Sequence, residues 1–414
     1  MGALRDDPSS QRAYLGQMAT RFAEIRLCAL NAWYTSDKVF DRRDDLKIVT
    51  HIREMSEDFT AAIFSRGHTY PFQDLPGFEY SYGGGHGAGS TENSKCGLNT
   101  TTSSLGAPSA EDYPELDDII SEPPAAGPMF PDAEDITAVI RHVHTSTRGL
   151  ELGTFNPSAT SMVFKEQSQK WESITIVHVN STILVVHDFI FKLLHLVCPD
   201  PRVRGQIWTV LSEELLDGYR AALEHARFLL STTRQGSALS LTPEYEGHVS
   251  KIHGARQAQK AGALTADSAK MMETLRATGV KQNNQQYVAE NRAVGMINTS
   301  LVPLFISQLV ETRNADSMCD MIHDVLYGYY LVTRSRFVDN VYQQVIDHFL
   351  LSGDKSPLRV FGPDRVLRFT EDELRRIAGE EPQAIRRREV LQREIANLEA
   401  GRKALARVCG RVLG

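Results

Sequence analysis

The run SITIVHVNSTILVVHDFIFKLLHLVC, residues 173–198, limits the fold more than any other stretch of the chain. Its length and apolar content suit a membrane span. However, His178, His187, Asp188, Lys192 and His195 interrupt it, and each of these is costly in hydrocarbon. A helix buried inside a soluble bundle carries the same run without that penalty. The expectation is therefore a bundle, in which neighbouring helices show apolar faces at helical spacing.

They do. In AYLGQMATRFAEIRLCALNAWY, Leu15, Met18, Phe22, Ile25 and Leu30 recur near helical spacing. Asp6, Asp7 and Ser9 can cap this helix, and Pro8 suits its first turn. A second helix is expected over 46–64. Further helices are expected over 131–149, 160–196, 201–231, 284–312 and 315–351, the last carrying Ile322, Val325, Leu326, Tyr329, Phe337, Val341, Val345 and Phe349. Pro199 and Pro201 separate the helix over 160–196 from that over 201–231. A final helix is expected over 383–407. No strand alternation persists and no βαβ unit can be drawn. The sequence predicts an all-α fold with helices longer than the globular average.

Two stretches depart from this pattern. Residues 77–130 are rich in Gly, Ser, Thr and Pro, and from Cys96 to Ile140 there is no Lys or Arg against nine acids. That composition predicts a disordered acidic insert. Residues 251–281 hold six Lys or Arg against two acids and read as a mobile basic connection. Its cations, Lys251, Arg256, Lys260, Lys270, Arg276 and Lys281, are candidates for contact with anionic lipid or a partner. The organisation expected is a first stalk-like part over 1–76, the insert, a helical part over 131–312 and a C-terminal part over 313–414.

Chemistry-bearing patterns are weak. GGHGAGST, residues 84–91, has P-loop glycine spacing, but Ser90 stands where the phosphate-binding lysine belongs. His187 and His195 are two turns apart, too wide for one metal, and the histidines read as core-edge or interface residues. Glu380 and Glu381 are adjacent and point in different directions, with no partner evident. The five cysteines are far apart and show no CxxC. The net charge of -7 does not suggest nucleic acid as a partner. No catalytic residue, cofactor site or metal site is assigned.

The stretch RIAGEEPQAIRRREVLQREIANLEAGRKAL, residues 376–405, is the most suggestive. From Arg359 onward there are thirteen Lys or Arg against nine acids, with the signs interleaved. Glu389 with Arg393 and Glu399 with Lys403 are i,i+4 pairs with the acid first. Leu391, Ile395, Leu398 and Leu405 form a stripe in 4-3-7 steps that calls for a partner helix.

Several separated blocks give the sequence a resemblance. LRDDPSSQRAYLGQMATRFAEI (4–25), FSRGHTYPF (64–72), HTSTRGLELGTFNPSATSMVFKEQSQKW (144–171), YGYYLVTRSRFVDNVYQQVIDHFLL (327–351) and the C-terminal stretch fall in the order of the stalk and GTPase effector regions of dynamin-superfamily large GTPases. The likeness is greatest to the Mx-like dynamins of filamentous fungi. The resemblance implies an elongated antiparallel stalk of long helices, with a C-terminal helix returning to pack in a bundle signalling element. RGLELGTF, 148–155, is similar to the family's turn between the first two stalk helices. It implies an assembly role for Arg148, Gly149, Glu151, Leu152 and Phe155, beside the stripe Leu391, Ile395, Leu398 and Leu405. The expected partner for that stripe within the chain is the helix near residues 10–30.

Family members carry a GTPase domain ahead of the block that begins at Leu4, and this sequence contains none of its motifs. The expectation is a non-catalytic assembly protein that pairs with itself or with a full-length dynamin-like GTPase, cytoplasmic and peripheral on membranes. The alternatives are a partial member of a GTP-hydrolysing, membrane-remodelling enzyme, or a lipid-binding scaffold module.

Overall fold

The structure, a computed structural model, describes residues 5, 7–75, 108–120, 127–147, 156–238, 240–278, 314–380 and 382–412. The fold is all-α, with no strand among the described residues. Its helices are α1 (Pro8–Leu30), α2 (Ile48–Arg66), α3 (Ile136–Ser146), α4 (Pro157–Gln167), α5 (Trp171–Val197), α6 (Pro201–Gln235), α7 (Pro243–Thr278), α8 (Asn314–Asn340), α9 (Pro363–Arg368), α10 (Glu371–Ala378) and α11 (Pro382–Val412). Short 3-10 turns fill 34–46, and α8 runs on as a π-helical stretch, Val341–Ser352.

The helix starts follow local chemistry. Asp7 caps α1 in a reciprocal box with Ser10, and Pro8 occupies the first turn. Asp135 accepts the Ala138 amide at the start of α3, and Asp200 accepts the amides of Arg202 and Val203 at the start of α6. The expected boundaries of α1, α2, α6 and α8 lie within a few residues of those observed.

α5 is the centre of the molecule. It is the described helix that is long and apolar enough to cross a membrane by length and composition, and 67% of its most apolar window is buried inside the protein. α5 and α6 run in opposite directions: Glu172 pairs with Arg234 at 3.0 Å, and further along His187 Nδ1 lies 3.2 Å from the Tyr219 hydroxyl. α2 and the π-helical stretch also pack on α5. Trp171 is fully buried at its start, with Phe337 stacked on it at 5.0 Å and its indole N–H donating to the Tyr330 hydroxyl at 3.3 Å. Burying a side chain of this size contributes several kcal/mol, on the order of 3–5 by the cost of truncation.

Three expectations change. The helix expected over 160–196 is broken at 168–170 into α4 and α5. Gln167 explains the break: its side chain exchanges two hydrogen bonds with the Tyr70 backbone, and its carbonyl accepts the Thr69 amide. These long-range bonds leave the helix path.

The acidic insert is not coil throughout. Residues 108–120 form two 3-10 turns that dock on α5 and bury Tyr113, Leu116 and Ile119. Tyr113 donates to Asp188 at 2.7 Å, and Glu115 meets His187 at 3.2 Å. Composition counted the acids but could not show that two of the groups facing them, Asp188 and His187, lie on the apolar helix. Residues 77–107, which include GGHGAGST, and 121–126 of the insert lie outside the described residues.

The basic connection is the third. Residues 251–278 are helical and make up most of α7. The expected helix over 284–312 lies outside the described residues.

Candidate functional site

Two regions concentrate charge and unpaired surface: the junction from which α11 leaves, and the contact between α7 and α8.

The junction brings the N-terminal end of the described chain against the segment that precedes α11. α1 packs on α9 and α10, with Phe22 edge-on to Phe361 at 5.5 Å. Arg12 donates to the Phe369 carbonyl at 3.1 Å, and Arg26 donates to the Leu358 carbonyl at 3.3 Å. At the rim, the Glu380 carboxylate accepts the Arg5 amide at 3.1 Å and takes Arg388 through both oxygens at 2.8 and 2.7 Å. Arg202, from the first turn of α6, donates to the Gly379 carbonyl at 2.9 Å. Burial alone pushes the Glu380 carboxyl up, but the Arg388 and Arg5 hydrogen bonds and charges hold it below its ordinary value. Glu380 therefore has a partner, eight residues on and two helix turns away, which adjacency to Glu381 does not reveal.

Beyond this clamp α11 is unsupported. No described helix packs along its length. Ile395, Leu398 and Leu405 are 55%, 73% and 68% exposed, and Leu391 is half-buried. The expected pairing of this stripe with the helix near residues 10–30 is not present. α1 turns its apolar face, Leu15, Met18, Phe22 and Ile25, toward the bundle and toward α9 and α10 instead. Those two short amphipathic helices occupy the place the sequence reading gave to α11. Glu389–Arg393 and Glu399–Lys403 are exposed pairs that the structure does not close, as expected where two long side chains lose entropy for little Coulomb gain.

The α7–α8 contact is built differently. Its apolar part is small: Leu75, Ile252 and Leu331, with Ala255 and Tyr327 against them. Around it sits a buried charge cluster. Arg256 donates to Asp324 at 2.8 Å, to Gln73 at 2.6 Å and to Asp320 at 3.0 Å. Lys260 holds the other Asp320 oxygen at 2.6 Å. His323 Nε2 accepts the Gln73 amide at 3.3 Å, and its Nδ1 lies 2.6 Å from the Arg256 guanidinium and 3.3 Å from Asp324. Burial lowers the His323 pKa, Asp324 raises it and Arg256 lowers it again; the balance stays below the ordinary value. At Gly328 an added Cβ would stand 2.7 Å from Val249, so the two helices approach too closely there for a side chain.

This corrects the assignment of Arg256 as a lipid contact. Its guanidinium is buried and fully engaged, and a buried cation cannot reach a bilayer without breaking the cluster. Lys260 is bound to Asp320. Lys251 and Lys270 are exposed, Arg276 lies on α7, and Lys281 lies outside the described residues. The turn residues Arg148, Gly149, Glu151, Leu152 and Phe155 also lie outside them. Sequence reading missed Asp320, His323 and Asp324. The signal was present: Asp320 and Asp324 are an i,i+4 pair of acids, as Arg256 and Lys260 are an i,i+4 pair of cations, so each set shares one helix face.

Among the described residues no group of His, Cys, Asp and Glu could hold a metal ion, and Cys28, Cys198 and Cys319 are free thiols. His178 is wholly buried against Phe59, which stacks on it at 4.6 Å, and burial pushes its pKa down to about 4. It is a packed neutral histidine. The depression between α2 and the end of α8, lined by Arg53, Glu57, His178 and Tyr342 among others, is open and shallow.

Comparisons with protein families, with curated proteins and with solved structures find no match.

Proposed function

We propose that this chain is a dynamin-like stalk and effector segment that works by assembly, with copies of itself or with a full-length dynamin-like GTPase, and carries no catalytic step of its own. The observation that carries the reading is the return of residues 358–380 to α1. α1 lies along α9 and α10, and the Arg5 amide reaches Glu380, so the chain runs out through its long helices and returns to where it began. A stalk in this family requires that path, because the segment leaves its motor and comes back to it at one end. The blocks of resemblance agree with it: their described parts fall on α1, on the ends of α2 and α3, on α4 and the first residue of α5, on α8 with its π-helical extension, and on the end of α10 with α11. On this reading the elongated antiparallel stalk is made by α2, α5, α6 and α8, the helices packed about the Trp171 core.

The test is size-exclusion chromatography with light scattering on the chain alone and mixed with a full-length dynamin-like GTPase. The expected result is a mass above the monomer in at least one case. A strictly monomeric chain that never co-elutes overturns the proposal. GTP binding of micromolar strength by the isolated chain would overturn the assignment of no catalytic step.

A further inference from the structure

The unsupported part of α11 carries more than an apolar stripe. Arg388, Leu391, Ile395, Leu398, Arg402 and Leu405 follow one another in alternating steps of three and four, a single seam with the coiled-coil repeat. Leucine stands at every second seam position, with Arg388, Ile395 and Arg402 between. Ile395, Leu398 and Leu405 are exposed, and Arg388 is anchored to Glu380 in its own chain. The seam is built for one more helix, and the charges beside it decide which helix and which direction.

A parallel copy of α11 is disfavoured by those charges. It would set Arg402 against Arg402 and Arg388 against Arg388 in the seam, and would place Glu394 beside Glu399 of the partner on both flanks. An antiparallel copy centred between Ala396 and Asn397 removes every one of these clashes. Ile395 then faces Leu398, Arg402 faces Leu391 and Arg388 faces Leu405. Glu394 lies beside Gly401, and Gln392 beside Glu399. Arg402 lays its aliphatic stem over Leu391 and extends its guanidinium to the flank that carries Gln392 of the same partner helix. Shifting this register by one heptad either way brings Glu394 against Glu394 or Glu399 against Glu399, so the central register is selected. It also has room: the starts of the two helices stand roughly 44 Å apart along the coil, which keeps the two helical bundles clear of each other.

We propose that α11 pairs with α11 of a second copy of this chain as an antiparallel two-helix coiled coil in that register. The proposal rests on the assembly reading and names one of its contacts. The seam is short, so the pairing is concentration-dependent.

The experiment is sedimentation velocity on the full chain over a range of concentrations, with circular dichroism as a check that each variant is folded. The wild type is expected to shift toward dimer as concentration rises. Ile395→Asp with Leu398→Asp should raise the dissociation constant by at least about tenfold with helix content unchanged, since both residues sit at the centre of the seam. Glu394→Arg should leave pairing nearly unchanged, because Glu394 lies beside Gly401 in this register. Self-association that survives Ile395→Asp with Leu398→Asp overturns the pairing and leaves assembly through another surface standing. Pairing strengthened by Glu394→Arg overturns the antiparallel orientation, because that change favours only the parallel arrangement. A wild type monomeric at all concentrations, yet co-eluting with a full-length relative, also overturns the pairing alone. A wild type monomeric under both conditions overturns the assembly reading with it.

Discussion

α5 and α11 are both long helices with an apolar stripe, and they end in opposite situations. α5 has neighbours on nearly every side, and even its polar groups are absorbed: Asp188 by Tyr113 and Lys192, His187 by Glu115 and Tyr219. α11 is held at its base by one carboxylate and is bare along most of its apolar edge. The lesson is that a stripe of given spacing does not tell whether its partner is inside or outside the chain. Mean hydropathy separates the two: the α5 window is apolar all round, whereas α11 carries charge on every other face, and only the first must be buried to exist in water.

The sharpest way to break this contrast is to truncate at both helices and compare denaturant midpoints. Trp171→Ala should cost about 3–5 kcal/mol, because it empties a site between Phe337, Tyr330 and Phe164. A cost near zero would mean that α5 is not the core.

Nearly as large is the expected effect of Arg256→Met, about 3–5 kcal/mol for breaking a buried pair and leaving Asp324 without its cation. The loss should be local, with amide exchange accelerating in α7 before α5. Acid should act in the same direction. His323 has a folded pKa below its unfolded one, so its contribution is full above about pH 6.5 and falls as pH drops, when the opened state takes up a proton. If Arg256→Met melts α5 and α7 together, the two contacts are one cooperative unit and not two.

A smaller effect is expected at the α11 clamp. Glu380 has a lowered folded pKa, so its contribution is present above about pH 4.5, its ordinary value, and is lost as pH falls through the folded pKa. Exchange of the first-turn amides of α11 should rise over that acidic range and stay high at all pH in Glu380→Gln. A variant with wild-type protection at neutral pH would show that the carboxylate is not the anchor. Smallest of all, Leu398→Ala should change the stability of the dilute chain by less than about 0.5 kcal/mol, as for other exposed positions. A cost of several kcal/mol would mean that Leu398 is covered within its own chain.

Much of the fold is legible from local pattern. Helix starts at Pro8 and Pro201 follow their caps, whereas the helix expected from 131 begins at Ile136 behind Asp135; the apolar positions chosen on α1 and α8 are those that pack, Leu15 and Phe22 or Ile322 and Phe337 among them. The misses share a cause. Gln167 ends a helix by binding Tyr70, Tyr113 is drawn from an acidic run onto Asp188, and Arg256 is taken from the surface by Asp324. Each depends on a partner between 68 and 97 residues away, and no window of sequence contains both.

The sequence by itself determined the all-α class, the caps, the breaks at proline and the seam of α11, because these depend on periodicity and on bonds between near neighbours. Only the tertiary structure decided which cations are buried, which part of the acidic stretch docks, and that α9 and α10, not α11, cover α1. Those outcomes are set by competition for a limited surface. Two short amphipathic helices on α1 bury their faces at once, and the longer charged helix, whose polar sides keep it in water, is left with its seam open.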